Sequence, residues 1–461
     1  SLFQVLKPKK EFSILETNIA QTAGSAAGSM TSAAGLVSAI PAMTMLGYNL
    51  SVLELFAWAL SIAYLGVFFA IPLRKQMVVV EKLRFPTGTA TAETIVAVFA
   101  KGQEAMKKSK ALLLFAIIAG VHTLIAYFWG QASMPGIVKG IGLAGIAAWG
   151  FKILISPMML GAGILIGPRV GISLFIGALL SWGVLGPWAT EMGWVSDKIM
   201  DYKSGARGWI LWPGVALMVT DALMSLIMSY KSIINSFKRV DTGNIQEDAS
   251  QKIPLKYLYL GLGMASILTI IFAKLIFDIH PMLTIIAIIL SALLSLIATR
   301  STGETDINPI GGMGKVTQMV YGVLSPGSIP TNLMSAAITG SGASQCADMM
   351  QDLKTGHMLG ASPFKQFKAQ LIGITVGIFF AVPIYKLFDS AYTIGGEQIP
   401  APAAHAWKAM AQVLSQGISS MPEHSVQAVI GAIILGITLS LLKKVKKVNK
   451  FVPSGLAMGI A

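Results

Sequence analysis

The chain has 461 residues, of which 54% are hydrophobic and 12% charged, against roughly a quarter charged in an ordinary soluble domain. That balance excludes a soluble globular protein, and several apolar runs reach the ~20 residues needed to cross a ~30 Å hydrocarbon layer. The net charge of +14 is not a nucleic-acid signal, because Lys and Arg sit in short segments beside apolar runs, as cytoplasmic loops do; the single cysteine, Cys346, excludes an internal disulfide.

Residues 1–16 are polar and basic, then acidic at Glu11 and Glu16. Thr17–Gly47 is long enough to span, but its first half consists of small and polar residues, which pack closely against other helices and predict an interior position. Residues 51–73 form a clear span. Phe85–Ala100 would make a helix of only ~24 Å, too short to cross comfortably. Basic residues flank it on both sides (Arg74, Lys75, Lys82 and Arg84 before; Lys101, Lys107, Lys108 and Lys110 after), which predicts a re-entrant segment on the cytoplasmic face. Further spans are predicted at 111–130, 151–168, 169–188, 208–229, 255–277, 280–299, 367–385 and 422–442. The loop 189–207 is acidic and bordered by Trp188, Trp194 and Trp209, an interfacial pattern. The loop 386–408 is charge-poor and contains PAPAAHAW at 400–407; KKVKKVNK at 443–450 is strongly basic.

Between these runs, Asn308–Gln366 is rich in Gly, Ser, Thr, Asn, Gln, Asp and Lys and is broken by Pro309, Pro326 and Pro330. Backbone groups freed at such breaks would cost several kcal/mol each in hydrocarbon, so the stretch must be buried in protein or line a cavity.

Self-comparison reveals a repeat. GVFFAIPL at 66–73 matches GIFFAVPI at 377–384; Thr17-Asn18 matches Thr331-Asn332; Phe85-Pro86 matches Ile399-Pro400; Gly120 matches Gly436. The offsets stay between 311 (377 − 66) and 316 (436 − 120). Basic flanks surround the first re-entrant element but not 386–408, and 443–450 is basic whereas 131–150 carries one basic residue, so the positive-inside rule places the copies in opposite senses. The fold class expected is an all-α polytopic membrane protein, an inverted-repeat secondary transporter with re-entrant and broken helices. Residues 1–316 would form the first unit and 317–461 the second. Two full units of this period exceed the chain, so each copy is expected to lack helices at its outer end.

Candidate substrate-binding residues come from two polar motifs. In PTGTATAE, Thr87, Gly88, Thr89 and Thr91 stand at the start of a short helix, whose N–H groups suit an anionic or carbonyl group. In the polar stretch, Asn308 and Gly311 lie at a helix break, and Thr339, Ser341 and Gln345 supply hydrogen-bonding side chains, with Ser344 beside them and Lys315 as a counter-charge. Proton coupling falls to Glu93, Asp348 and Asp352, because an ionisable residue at membrane depth is a functional candidate. Asp348 and Asp352 share a helix face. Glu93 reads equally as an interfacial partner of a nearby lysine, and Asp352 with Lys354 as a solvated helix end. Glu16, Asn18, Gln21, His122 and Asp221 are weaker candidates. The five His and one Cys show no metal-ligand spacing, no cofactor is expected, and no phosphate-binding loop is present.

FPTGTATAE at 85–93, NPIG at 308–311, MQDLKTGHMLGASP at 350–363 and NIAQTAGSAAGS at 18–29 resemble the oligopeptide transporter superfamily, which includes the yellow stripe-like transporters, with most likeness to a prokaryotic branch. The resemblance covers nearly the whole chain. It implies secondary active carriage of small peptides or metal–chelate complexes, inward and with protons, with Thr87–Glu93, Asn308–Gly312 and Met350–Gly356 framing the pathway. The function expected is thus a proton-coupled importer of oligopeptides or peptide-like chelates working by alternating access; a passive channel and an intramembrane lipid-linked transferase are the alternatives. The partners expected are the small-molecule substrate, protons and the lipid bilayer, with a homodimer admitted and no nucleic acid. The location expected is the inner cell membrane, crossed many times.

Overall fold

A computed structural model describes residues 12–99, 103–129, 149, 157–196, 199–201, 204–228, 253–306, 308, 310–392, 394–395, 399, 401–417, 421–442 and 456. The basic run 443–450, most of the loop 131–150, the loop 230–252 and Pro309 lie outside these residues. Among the described residues the regular structure is helical, apart from one isolated bridge between Ile394 and Ile399. Among the described residues, six helical segments are long and apolar enough to cross a membrane: Val52–Val80, Gly171–Glu191, Lys256–Phe277, Pro281–Gly303, Pro363–Ala391 and Ser425–Leu442. The chain is an all-α polytopic membrane protein.

Two compact units divide it. The first comprises Ser1–Met106, Ser232–Ile310 and Pro330–Ala404. It opens with α1 (Ile14–Gly28), held by a reciprocal cap in which Ser13 N–H donates to Glu16 at 2.8 Å and Glu16 N–H donates to Ser13 Oγ at 3.2 Å. The segment read as one long run to Gly47 is interrupted. The short helices α2 (Met30–Ala33) and α3 (Ala39–Thr44) follow, separated by Gly35 at φ +73°, a backbone that L side chains rarely adopt. α4 (Val52–Arg74) begins with the same reciprocal cap from Ser51 and Glu54 and runs into a π-helical turn, Lys75–Val80. α5 (Pro86–Phe99) is the predicted short segment, and its 14 residues give ~21 Å of helix.

The antiparallel pair α11 (Leu255–Phe277) and α12 (Pro281–Thr305) turns at Asp278, which is left-handed, with Pro281 at the first helical position. α14 (Ile329–Leu359) is the centre of the unit, and every residue from Thr331 to Ala347 is buried. Its small residues admit close neighbours. A methyl at Gly342 would lie against Ser291 of α12, and one at Gly66 of α4 would lie 2.6 Å from the Gly342 carbonyl oxygen. Thr299 of α12 meets the Cys346 thiol at 3.3 Å. The middle of the polar stretch, Thr331–Ala347, is thus buried within protein.

α15 (Pro363–Ala391) matches α4 in register: 311 residues separate the N-caps Ser51 and Ser362, the internal prolines Pro72 and Pro383, and the segment ends Val80 and Ala391. α4 and α15 touch reciprocally. Phe56 meets Phe379 with ring centroids 6.0 Å apart, and Phe68 meets Phe367 at 5.6 Å. Tyr64 and Thr375, themselves counterparts, share a hydrogen bond of 2.6 Å. A shift of 311 residues converts the first ring pair into the second and maps Tyr64 onto Thr375. The two helices run antiparallel across this contact, since numbers rise along one as they fall along the other.

The second unit comprises Lys107–Lys231, Gly311–Ile329 and His405–Ala461. It holds α6 (Gln103–Trp129) beyond its first turn, then α7 (Pro157–Ile166), α8 (Pro168–Leu180), a π turn at Ser181–Leu185 and α9 (Gly186–Glu191). α10 (Ala206–Met228) packs along α17 (Ser425–Leu442), where a methyl at Gly436 would lie 2.9 Å from Thr220. α13 (Ile310–Leu324) lies against α10 and α16 (Pro402–Gln416). The segment 400–407, read as loop, is thus partly helical: Pro402 opens α16, a position that suits its fixed φ and missing N–H.

Candidate functional site

The polar heart of the first unit is built where α1, α5 and α15 meet the C-terminal half of α14. Asp352 is 2% exposed. Gln21 of α1 donates its amide to Asp352 Oδ1 at 2.9 Å. Gln366 of α15 donates to the Asp352 backbone oxygen at 2.7 Å and to Thr22 Oγ1 at 3.2 Å. The absent side chain of Gly356 makes room for that glutamine: an added Cβ would collide with the Gln366 amide. Asp352 Oδ2, Gln21 Oε1 and Gln366 Oε1 are buried oxygens without a hydrogen-bond partner among the described residues. Asn18 and Gln370, on the same two helices α1 and α15, have neither amide atom partnered there. Burying unpaired polar atoms is costly, and native proteins keep few of them. A concentration of them on facing helices is the chemistry of a place where protons, water or a polar ligand enter.

Asp348 lies one turn before Asp352 and is half-buried. Gln345, fully buried, accepts Ser29 Oγ at 3.3 Å, and its Nε2 has no partner among the described residues. Thr339 and Ser341 are buried two turns or so earlier, with Thr339 Oγ1 donating to the Ala336 carbonyl at 2.9 Å.

The start of α5 is tied down. Asp306 accepts Thr87 N–H at 3.0 Å and Thr87 Oγ1 at 2.6 Å. Gly88 N–H donates to Gln351 Oε1 at 3.0 Å, and Thr355 Oγ1 donates to the Gly88 carbonyl at 2.8 Å. Gly88 has no alternative, because a methyl there would lie 2.4 Å from the Gln351 carbonyl oxygen. Thr89 and Thr91 hydroxyls donate to the Arg84 and Thr87 carbonyls, at 2.6 and 2.8 Å. A carboxylate of the chain itself therefore caps this helix, and Glu93 lies on its exposed side. The connection before α5 is held by Arg300, paired with Glu81, which also accepts Gln76 Nε2 at 2.6 Å.

Asn308 belongs to the first unit, with both side-chain amide atoms buried and unpartnered among the described residues. Gly311 belongs to the second, where it faces Met218 Sδ. Among the weaker candidates, Asn18 and Gln21 join the Asp352 site, Asp221 is buried and accepts Ser440 Oγ at 3.2 Å, and His122 is half-buried on α6. Reading the sequence missed Gln366 and Gln370. Two glutamines one turn apart near the start of an otherwise apolar span were the available signal.

Residues 2–461 match the family described as OPT oligopeptide transporter protein. A Saccharomyces cerevisiae protein named "Putative oligopeptide transporter YGL114W" is 28% identical, over 98% of this chain and 80% of its own length. "Probable metal-nicotianamine transporter YSL13" of Oryza sativa subsp. japonica is 27% identical, over 87% of this chain and 61% of its own length. "Metal-nicotianamine transporter YSL1" of Arabidopsis thaliana is 26% identical, over 88% and 64%. The chain spans less than two thirds of these two plant relatives. With the match running almost end to end, the chain belongs to the OPT oligopeptide transporter family, whose members are transporters rather than enzymes.

Proposed function

We propose that the chain is a proton-coupled secondary active transporter that imports small oligopeptides or peptide-like metal chelates across the inner cell membrane by alternating access. The observation that carries the reading is Asp352, a buried carboxylate with one oxygen on Gln21 and the other unpartnered among the described residues. A carboxylate in that setting exchanges a proton at small geometric cost, because Gln21 and Gln366 already hold the surrounding backbone and side chain in place. Asp348 shares the face and the proton. Glu93, exposed on α5, is the second candidate for proton exchange.

Thr87, Gly88, Thr89, Thr91, Asn308, Gly311, Thr339, Ser341 and Gln345 are proposed to line the substrate path. Thr87 and Gly88 serve it through their own fixed contacts with Asp306, Gln351 and Thr355. The plant relatives' names favour a chelate as cargo and the yeast relative's name a peptide. The two copies, 1–316 and 317–461, are proposed to form an inverted repeat. The antiparallel, reciprocal contact of α4 and α15 supports this, since an axis along the membrane normal would leave equivalent helices parallel.

Proteoliposomes holding the purified chain test the reading. Uptake of a di- to pentapeptide or of a metal chelate should require an inward proton gradient and stop when the gradient is collapsed. Asp352→Asn should bind substrate but lose accumulation against a gradient. Glu93→Gln with unchanged accumulation removes Glu93 from the mechanism. Uptake indifferent to the gradient in the unsubstituted chain would leave a passive channel as the better account.

A further inference from the structure

Lys315 lies on α13, about 8 Å along the helix from its first residue, and is 3% exposed. The α13 residues around it are closely packed within the second unit. Gly311, one turn earlier, lets Met218 Sδ approach to 3.3 Å of an added Cβ. Gly314 lies flat against the Trp407 ring, where a methyl would collide with the indole. Val316 packs with Leu211, Val215 and Val219 of α10 and Ala406 of α16. The polar neighbour Gln318 donates its amide to the Trp407 carbonyl at 2.9 Å.

No hydrogen bond or ion pair joins Lys315 to any described residue. Asp221, the buried acid of the same unit, is engaged by Ser440. An ammonium withdrawn from water is destabilising unless a partner offsets it, and a hydrophobic residue of similar length would fill this place without that penalty. A buried cation of a membrane protein with no partner among the described residues is a functional position by default.

From this geometry we infer that Lys315 is the anchor for a carboxylate group of the transported molecule. This deepens the transporter reading and rests on it. A single lysine is a point charge without the planar fork of arginine or a cradle of backbone amides, so it suits one carboxylate better than a phosphate. Peptides and amino-acid chelates both present such a group: the C-terminus of the one, the ligating arms of the other.

The test uses the full chain in detergent and follows thermal unfolding with four probes: glycylglycine, glycylglycinamide, zinc-loaded nitrilotriacetate and chloride alone. Glycylglycine or the nitrilotriacetate complex should stabilise the unsubstituted chain, and the amide and chloride should not. Whichever acid acts identifies the source of the carboxylate. Lys315→Met should bind that acid about tenfold or more weakly, as expected for one charge-assisted hydrogen bond. Without ligand it should melt no lower than the parent, because a buried charge without a partner among the described residues has been replaced by an apolar chain. Lys315→Arg keeps the charge and should retain part of the binding. Equal stabilisation by acid and amide, no stabilisation by either acid, or a Lys315→Met chain that keeps the acid preference overturns the inference. Carboxylate binding through Lys315 with no uptake in vesicles would defeat the transporter reading alone; gradient-driven uptake with no dependence on Lys315 would defeat this inference alone.

Discussion

Asp352 takes its closest side-chain hydrogen bond among the described residues from Gln21. Replacing Gln21 with Leu removes the N–H that reaches Asp352 Oδ1 and leaves a buried acceptor unpaired. The expected loss is about 1–3 kcal/mol, read as a lower midpoint of thermal unfolding in detergent. Replacing both, Gln21→Leu with Asp352→Leu, should recover most of that loss, since two apolar partners leave nothing unpaired. The carboxylate was legible in the sequence because Asp348 and Asp352 repeat at one helical turn within a polar stretch. Its support was only half legible. Gln21 stood out within a run of small residues, whereas Gln366 and Gln370 sit in a span whose average character is apolar and hides them. Thr87, Thr89 and Thr91 show the opposite limit. They were read as substrate-binding candidates, but a hydroxyl on a helix readily bonds a carbonyl of its own chain, and no pattern of residue types reveals which way it turns.

Close helix crossings in the first unit rest on glycine at two places 311 residues apart (377 − 66). A methyl at Gly66 would stand 2.6 Å from the Gly342 oxygen, and one at Gly377 would stand 2.6 Å from Ala27 Cα. Gly66→Ala and Gly377→Ala should each destabilise by about 1–3 kcal/mol, as overpacking does, and thermal unfolding of the single variants checks this. Gly24→Ala is the control: nothing lies within 4 Å of the added methyl, and helix propensity alone should make the change neutral or favourable. Spans were the most readable elements, because ~20 apolar residues leave few alternatives. Ends and interruptions were not. The small-residue run after Thr17 looked continuous, yet Gly35 takes a left-handed turn within it, while the matching α14 runs unbroken for 31 residues. The difference lies in tertiary surroundings: α14 is enclosed by neighbours along Thr331–Ala347, and α1–α3 have exposed positions along their length.

At the scale of the whole molecule, the reciprocal contacts of α4 and α15 make a topological prediction. Ser51 and Ser362 are the N-caps of the two counterpart spans. If the copies are inverted, a membrane-impermeant maleimide applied to oriented vesicles should label Ser51→Cys and Ser362→Cys from opposite sides. Labelling of both from one side would remove the inverted repeat. The repeat is proposed from four short matches at a nearly constant offset, and the α4–α15 contacts keep the 311-residue register of one of them. The charge argument for inversion leans on 443–450 and 131–150, which lie largely outside the described residues, so the labelling experiment is independent of it.

The contact between Thr299 and Cys346 reaches beyond packing. Cys346 is the chain's sole thiol, and it is fully buried. A reagent that reads accessible sulfur therefore meets a silent background. A cysteine placed anywhere on the surface reports by itself, with the native sequence otherwise intact. The protein carries, in effect, its own chemical blank, and a sudden gain of native thiol reactivity would be a direct signal that α12 and α14 have come apart.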